Sequence, residues 1–144
     1  MTEFRQVTPA FAVAGQISTD DVARAAAEGF RTILNNRPEH ESPDQPSGDE
    51  IAAAARAHGL TYRAAPFQGP PPPAIVAETA TILEEAPGPV LAYCRTGTRS
   101  IMAWAMAQAL EGALRPDEII ATAAKAGYDL SGARGALAGL APRA

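Results

Sequence analysis

Helical and strand-like segments alternate along this chain, which predicts an α/β domain: a central, mostly parallel sheet of four or five strands flanked by helices. Three observations carry that expectation. Short runs rich in β-formers recur at Arg31–Asn35, Leu60–Ala64 and Val90–Tyr93. The Ala-rich stretches between them open on cap residues and close on glycine. The chain is 144 residues long, 47% hydrophobic and 19% charged, which suits one domain (1–144) with its own core rather than a disordered segment.

In order, Phe4–Val7 and Phe11–Gly15 read as two short strands around a Thr8-Pro9 turn. Ser18 or Thr19 caps the first helix, Asp20 and Asp21 suit its positive end, and Gly29 stops it. Flanking helices make Arg31–Asn35 an interior parallel strand. A polar loop from Asn36 to Gly48 follows, and Ser47 to Glu50 has capping-box spacing before a helix over Ile51–His58 closed by Gly59. After Leu60–Ala64, the prolines from Pro66 to Pro73 stiffen a second loop. Helices are then expected over Ala74–Ala86, Ile101–Leu110 and Asp117–Ala126, the last with Pro116 at its first position, and a short one over Ala133–Leu140.

Composition excludes several functions. A net charge of −4 leaves no electrostatic footprint for nucleic acid. No apolar run reaches membrane-spanning length and the N-terminus lacks signal-peptide features, so a cytoplasmic protein is expected. One cysteine forbids an internal disulfide, and with only two histidines no metal site or other cofactor is expected.

The informative stretch is Cys94-Arg95-Thr96-Gly97-Thr98-Arg99-Ser100. It places a thiol where the strand Val90–Tyr93 turns through a tight loop into a helix N-terminus. Free N–H groups and the positive end of the helix dipole hold anions there and favour a nucleophilic thiolate. Cys94 and Arg99 are the candidate catalytic pair, with Arg99 offering a planar fork to an oxyanion. Arg95, Thr96, Gly97, Thr98 and Ser100 complete the anion-binding loop, and either the Thr98 or the Ser100 hydroxyl could donate to the thiolate or serve as a cap. Ligands of parallel sheets bind beyond the strands' C-terminal ends. The loops after Asn35 and Ala65 should therefore line the same site, with Asn35, Arg37 and Asp44 as possible supporting residues. The asparagines could equally serve only the turn. The spacing of Met102, Trp104 and Met106 assigns them to core packing.

Ala12 to Ser18, followed by a helix and then Phe30 to Glu39 with its Asn35-Asn36-Arg37-Pro38, resembles small dual-specificity phosphatases of the protein-tyrosine-phosphatase superfamily. More closely, nearly the whole chain resembles the phosphatase-like domain of bacterial beta-lactamase hydrolase-like proteins, with Cys94 to Ser100 the main support. That resemblance implies a small phosphatase-like fold. It also implies a persulfide-metabolising enzyme as a possible partner, since such domains occur joined to one.

Two departures bear on the chemistry. The phosphatase signature has five residues between cysteine and arginine, whereas four separate Cys94 from Arg99, as in the Cys-x-x-Gly-x-Arg loop of rhodaneses. No aspartate lies between Asp49 and Asp117 to serve as the usual general acid, although Asp44 or Glu41 could substitute. Sulfite leaves thiosulfate without such an acid. The sequence-based expectation is therefore a sulfurtransferase acting through a Cys94 persulfide on a small anionic substrate, thiosulfate or a persulfide. The alternative is phosphate-ester hydrolysis through a phosphocysteine. A third reading is a catalytically idle anion-binding module.

Overall fold

The computed structural model describes residues 1–142. Five strands form one sheet: β1 (Arg5–Thr8), β2 (Phe11–Ala14), β3 (Thr32–Asn35), β4 (Thr61–Ala64) and β5 (Val90–Tyr93). Their spatial order is β1-β2-β5-β3-β4; β1 pairs antiparallel with β2 and the other pairs are parallel. The helices are α1 (Thr19–Ala27), α2 (Gly48–Ala57), α3 (Pro73–Glu85), α4 (Thr98–Glu111), α5 (Pro116–Lys125) and α6 (Arg134–Leu140). This is the expected α/β architecture, a mostly parallel sheet flanked by helices.

Because side chains alternate across a strand, β2, β3 and β5 supply two cores. Phe11, Val13, Leu34, Val90 and Ala92 face α3, α4, α5 and α6, where Trp104 stacks on Phe11 with ring centroids 5.9 Å apart. Ala12, Ala14, Ile33, Leu91 and Tyr93 face α1 and α2. Every residue of β5 is buried, as a central parallel strand covered on both faces must be. No helix among the described residues is long and apolar enough to cross a membrane.

Element ends move by a few residues from the sequence expectation. Arg31 lies outside β3, although its N–H donates to the Pro89 carbonyl. Leu60 closes α2 through a bond to the Ala55 carbonyl rather than joining β4. The α4 helix starts at Thr98, three residues before the apolar run, because Gly97 supplies its cap. Ser18 caps α1 in a full capping box with Asp21, at 3.0 Å in each direction. Ser47 caps α2 by accepting from the Glu50 N–H. A single 3₁₀ turn, Ser131–Ala133, precedes α6 where Asp129 accepts from the Ser131 N–H.

Register positions the site. Ala14, Tyr93, Asn35 and Ala64, the last residues of four parallel strands, stand side by side. The loops after β2, β5, β3 and β4 therefore leave the sheet along one edge, where ligands of such sheets bind.

Candidate active site

Cys94 is the first residue beyond β5, and its N–H donates to the Ala14 carbonyl at 3.3 Å. Only 1% of the residue is exposed, so the thiol forms the floor of the loop above it. Its Sγ accepts the Gly97 N–H at 3.1 Å. That bond depends on Gly97 having φ of 90°, a left-handed conformation that glycine alone takes without strain. The Arg95 carbonyl is turned outward onto the Gln16 N–H, at 3.3 Å. A Cβ on Gly15 would stand 3.0 Å from that carbonyl oxygen, which explains the small residue after β2. With the carbonyl directed away, the N–H groups of Arg95, Thr96, Thr98, Arg99 and Ser100 have no acceptor among the described residues. They lie in the turn between Cys94 and the first residues of α4, a segment that suits an anion.

The arginine of the loop is held by a clamp. Arg99 donates from Nη1 to Glu41 Oε2 at 2.9 Å and from Nη2 to Glu41 Oε1 at 2.7 Å, a bidentate pair. Nη1 also reaches the Phe67 carbonyl at 3.1 Å. Arg37, itself buried, donates to the same Glu41 from Nε at 3.0 Å and to Gln16 Oε1 at 2.9 Å. The Arg99 hydrogen bonds, opposed by partial burial and reinforced by Arg37, pull the Glu41 carboxyl from its usual value down to about 2. Arg99 is pushed the other way, chiefly by Glu41, with Cys94 adding a smaller contribution of the same sign because the guanidinium lies beside the thiol. Glu41 is therefore an ionised clamp at neutral pH rather than a proton donor.

The three loops expected to meet do meet. Ser100 is buried and donates to Asn36 Oδ1 at 2.8 Å, while Asn36 Nδ2 donates to the Ala65 carbonyl at 3.0 Å. One amide thereby ties the loops after β3 and β4 to α4. Asn35 is also buried; it bonds the Tyr62 hydroxyl at 2.9 Å and accepts the Arg37 N–H at 2.8 Å. Both asparagines thus do more than shape a turn. Neither candidate hydroxyl faces the sulfur: Ser100 is committed to Asn36, and the Thr98 hydroxyl pairs with that of Thr96 at 3.1 Å. Arg95, Thr96 and Thr98 are exposed at the rim. Asp44 is also exposed and accepts from the Ser42 hydroxyl at 3.1 Å, so Glu41 and not Asp44 is the carboxylate that reaches the loop. Among the described residues no group of three or more His, Cys, Asp and Glu side chains could hold a metal ion.

Three contributors were not assigned from the sequence. Gln16 orients Arg37, the Phe67 carbonyl holds Arg99, and the Tyr128 hydroxyl donates to the Thr96 carbonyl at 3.3 Å. Desolvation, with a smaller push from Cys94, raises the Tyr128 phenol, which stands against the loop opposite Gly97. Tyr128 lies far along the chain, and no local pattern marks it.

Residues 3–111 match the family model described as the phosphatase-like domain of beta-lactamase hydrolase-like protein. A beta-lactamase hydrolase-like protein of Xylella fastidiosa is 36% identical over 120 residues; the match covers 83% of this chain and 28% of the relative. The chain thus spans little more than a quarter of the length of that relative. A crystal structure from Neisseria meningitidis, described as a candidate phosphatase, is 31% identical with a TM-score of 0.82, covering 94% of this chain and 96% of the other. The core catalytic domain of the PP-IP phosphatase SIW14 of S. cerevisiae shares the fold at 14% identity, with a TM-score of 0.68 over 96% of this chain and 85% of that one.

Proposed function

Starting from the fact that this chain belongs to the phosphatase-like domain family of beta-lactamase hydrolase-like proteins, we propose that it is a cysteine-dependent phosphate-ester hydrolase. The observation that carries the proposal is the Cys94 thiol before the head of α4, accepting from Gly97 in a loop whose other N–H groups have no acceptor among the described residues, with Arg99 alongside. Cys94 Sγ attacks phosphorus; the S–P bond forms, the ester P–O bond breaks, and its electron pair leaves on the ester oxygen. Water then attacks the phosphocysteine, the S–P bond breaks, and inorganic phosphate departs with the thiolate restored. Loop N–H groups and the Arg99 guanidinium hold the equatorial oxygens through both steps, where preset donors are worth most. The clamp on Glu41 sets the leaving-group requirement. A carboxyl ionised from about pH 2 upward supplies no proton. Esters of acidic alcohols and phenols should therefore react far faster than simple alkyl esters.

The test is quenched-flow mass spectrometry with an aryl phosphate. A Cys94-borne phosphoryl group in the wild type, absent from Cys94→Ser, is expected; steady turnover with no such adduct and an active Cys94→Ser would defeat the proposal.

The four-residue spacing between Cys94 and Arg99 favours one second reading, the sulfur transfer expected from the sequence. The comparisons favour the hydrolase. Under sulfur transfer, brief incubation with thiosulfate adds one sulfur atom to Cys94, and a persulfide-metabolising enzyme is the natural partner. No gain in mass, with Cys94 still alkylatable, removes that reading.

A further inference from the structure

Next to the loop lies a cavity of about 330 Å³, near the lower end of the range for small-molecule sites. Its walls are mainly Pro70, Pro71, Met102, Met106, Ala133 and Ala136, and Thr98 and Arg99 of the loop also line it. The cavity thus opens onto the residue that borders Cys94, so one ligand can span both. It is built to receive a shape. The proline run stiffens one wall before any ligand arrives, and the bond from Arg99 to the Phe67 carbonyl ties that loop to the anion site. Met102 and Met106, one helical turn apart on α4, pack only partly against the core and leave adaptable thioethers on the other wall. The alanines from the 3₁₀ turn and α6 leave the space open.

Charge around the site limits what the ligand can carry. Arg99 and Arg37 are both committed to Glu41, leaving exposed Arg95 as the uncommitted cation of the loop among the described residues. Glu39, Glu41 and Asp44 stand on the facing loop. The three carboxylates balance the three arginines, Arg37, Arg95 and Arg99, so a ligand with several phosphates would meet no net positive side-chain charge.

We propose that this cavity holds the uncharged, apolar body of the substrate. The substrate class is then an amphiphile with one anionic head, an ester of a hydrophobic phenol or similarly acidic alcohol, rather than a polyphosphorylated molecule. The proposal rests on the hydrolase reading above for the nature of the head.

A series of 4-alkylphenylphosphonates, which bind without reacting, tests the cavity by calorimetry. The matching 4-alkylphenyl phosphates, whose leaving groups stay equally acidic along the series, test turnover. Affinity and kcat/KM should each rise by up to about fourfold per methylene group buried. In Ala136→Phe, which fills the cavity from α6, the rise in affinity with chain length should flatten. Inositol hexakisphosphate should compete no better than phenylphosphonate. An affinity indifferent to chain length, or strong competition by inositol hexakisphosphate, would overturn the proposal. The two readings fail separately. Affinity that climbs with chain length in a protein that turns over none of the phosphates sinks the hydrolase and keeps the cavity. Cys94-dependent turnover without any chain-length response does the reverse.

Discussion

Glu41→Gln separates the clamp from catalysis by acid. The substitution keeps the shape but removes the charge, and it turns one Arg99 hydrogen bond into two donors facing each other. Lowering a carboxyl from 4.5 to about 2 corresponds to roughly 3 kcal/mol of stability at neutral pH. Solvent reaches 18% of the Arg99 and 16% of the Glu41 side chain, so screening reduces the expected loss to about 1–2 kcal/mol. The sign follows from the direction of the shift: the stabilisation is complete above pH 4.5, declines below it, and is gone near pH 2. Urea unfolding of both proteins should therefore show a gap at pH 7 that narrows at pH 4. Once Arg99 is no longer held against the loop, kcat/KM for an aryl phosphate should fall about 10- to 100-fold, as expected for a misplaced positioning group. The shape of its pH profile should not change above pH 4.5. Were Glu41 a general acid, the wild type would lose activity on a basic limb and Glu41→Gln would abolish that limb. That profile, or a variant with wild-type stability and activity, would refute the clamp.

Other substitutions probe the scaffold of the site. Gly97→Ala should cost about 1–3 kcal/mol and most of the activity, because φ of 90° strains any side chain and moving the N–H releases the sulfur. Gly29→Ala, at φ of 97° with nothing within 4 Å, should show the strain alone, with kcat/KM unchanged. Ser100→Ala strands the buried Asn36 oxygen and should lose about 1–3 kcal/mol in urea unfolding with a smaller effect on turnover; the opposite pattern would mean that the hydroxyl serves the thiolate. Trp104→Ala, removing a fully buried ring stacked on Phe11, should destabilise by about 3–5 kcal/mol and leave KM for small phosphates unaltered in any protein that remains folded.

What the sequence displayed and what it hid divide along a physical line. The alternation of elements, the interior position of β3 and the strand–loop–helix around Cys94 are local patterns, set by side-chain periodicity and cap chemistry, and the fold follows them. Even the meeting of three loops was legible, because parallel strands must end on one edge. The clamp was not. Glu41 lies 58 positions from Arg99 in the chain, on a polar loop whose course no periodicity fixes. From composition alone Asp44 was as good a candidate. Tyr128, 32 positions beyond Thr96, was hidden for the same reason. The hydroxyls were hidden in another way: Ser100 was open to either a capping role or a bond to the sulfur, and burial commits it to Asn36. Met102 and Met106 were read as core, and they do touch it, but their helix also borders the cavity that the proline loop leaves open.

The clamp and the cavity constrain each other. Holding Arg99 with a carboxylate keeps the guanidinium oriented before any anion arrives, which in the proposed hydrolase would lower the reorganisation needed at the reacting phosphorus. The same ion pair removes the carboxylate that reaches Arg99 as a proton donor and cancels much of the positive charge that a polyanion would seek. A site arranged in this way must take its selectivity from elsewhere. In the proposed hydrolase, the apolar wall beside Arg99 would tell one phosphate monoester from another, because burial of hydrocarbon grows with each methylene while the head contacts stay constant. The two proposals therefore meet at a single residue, Arg99, which Glu41 fixes and which also lines the cavity.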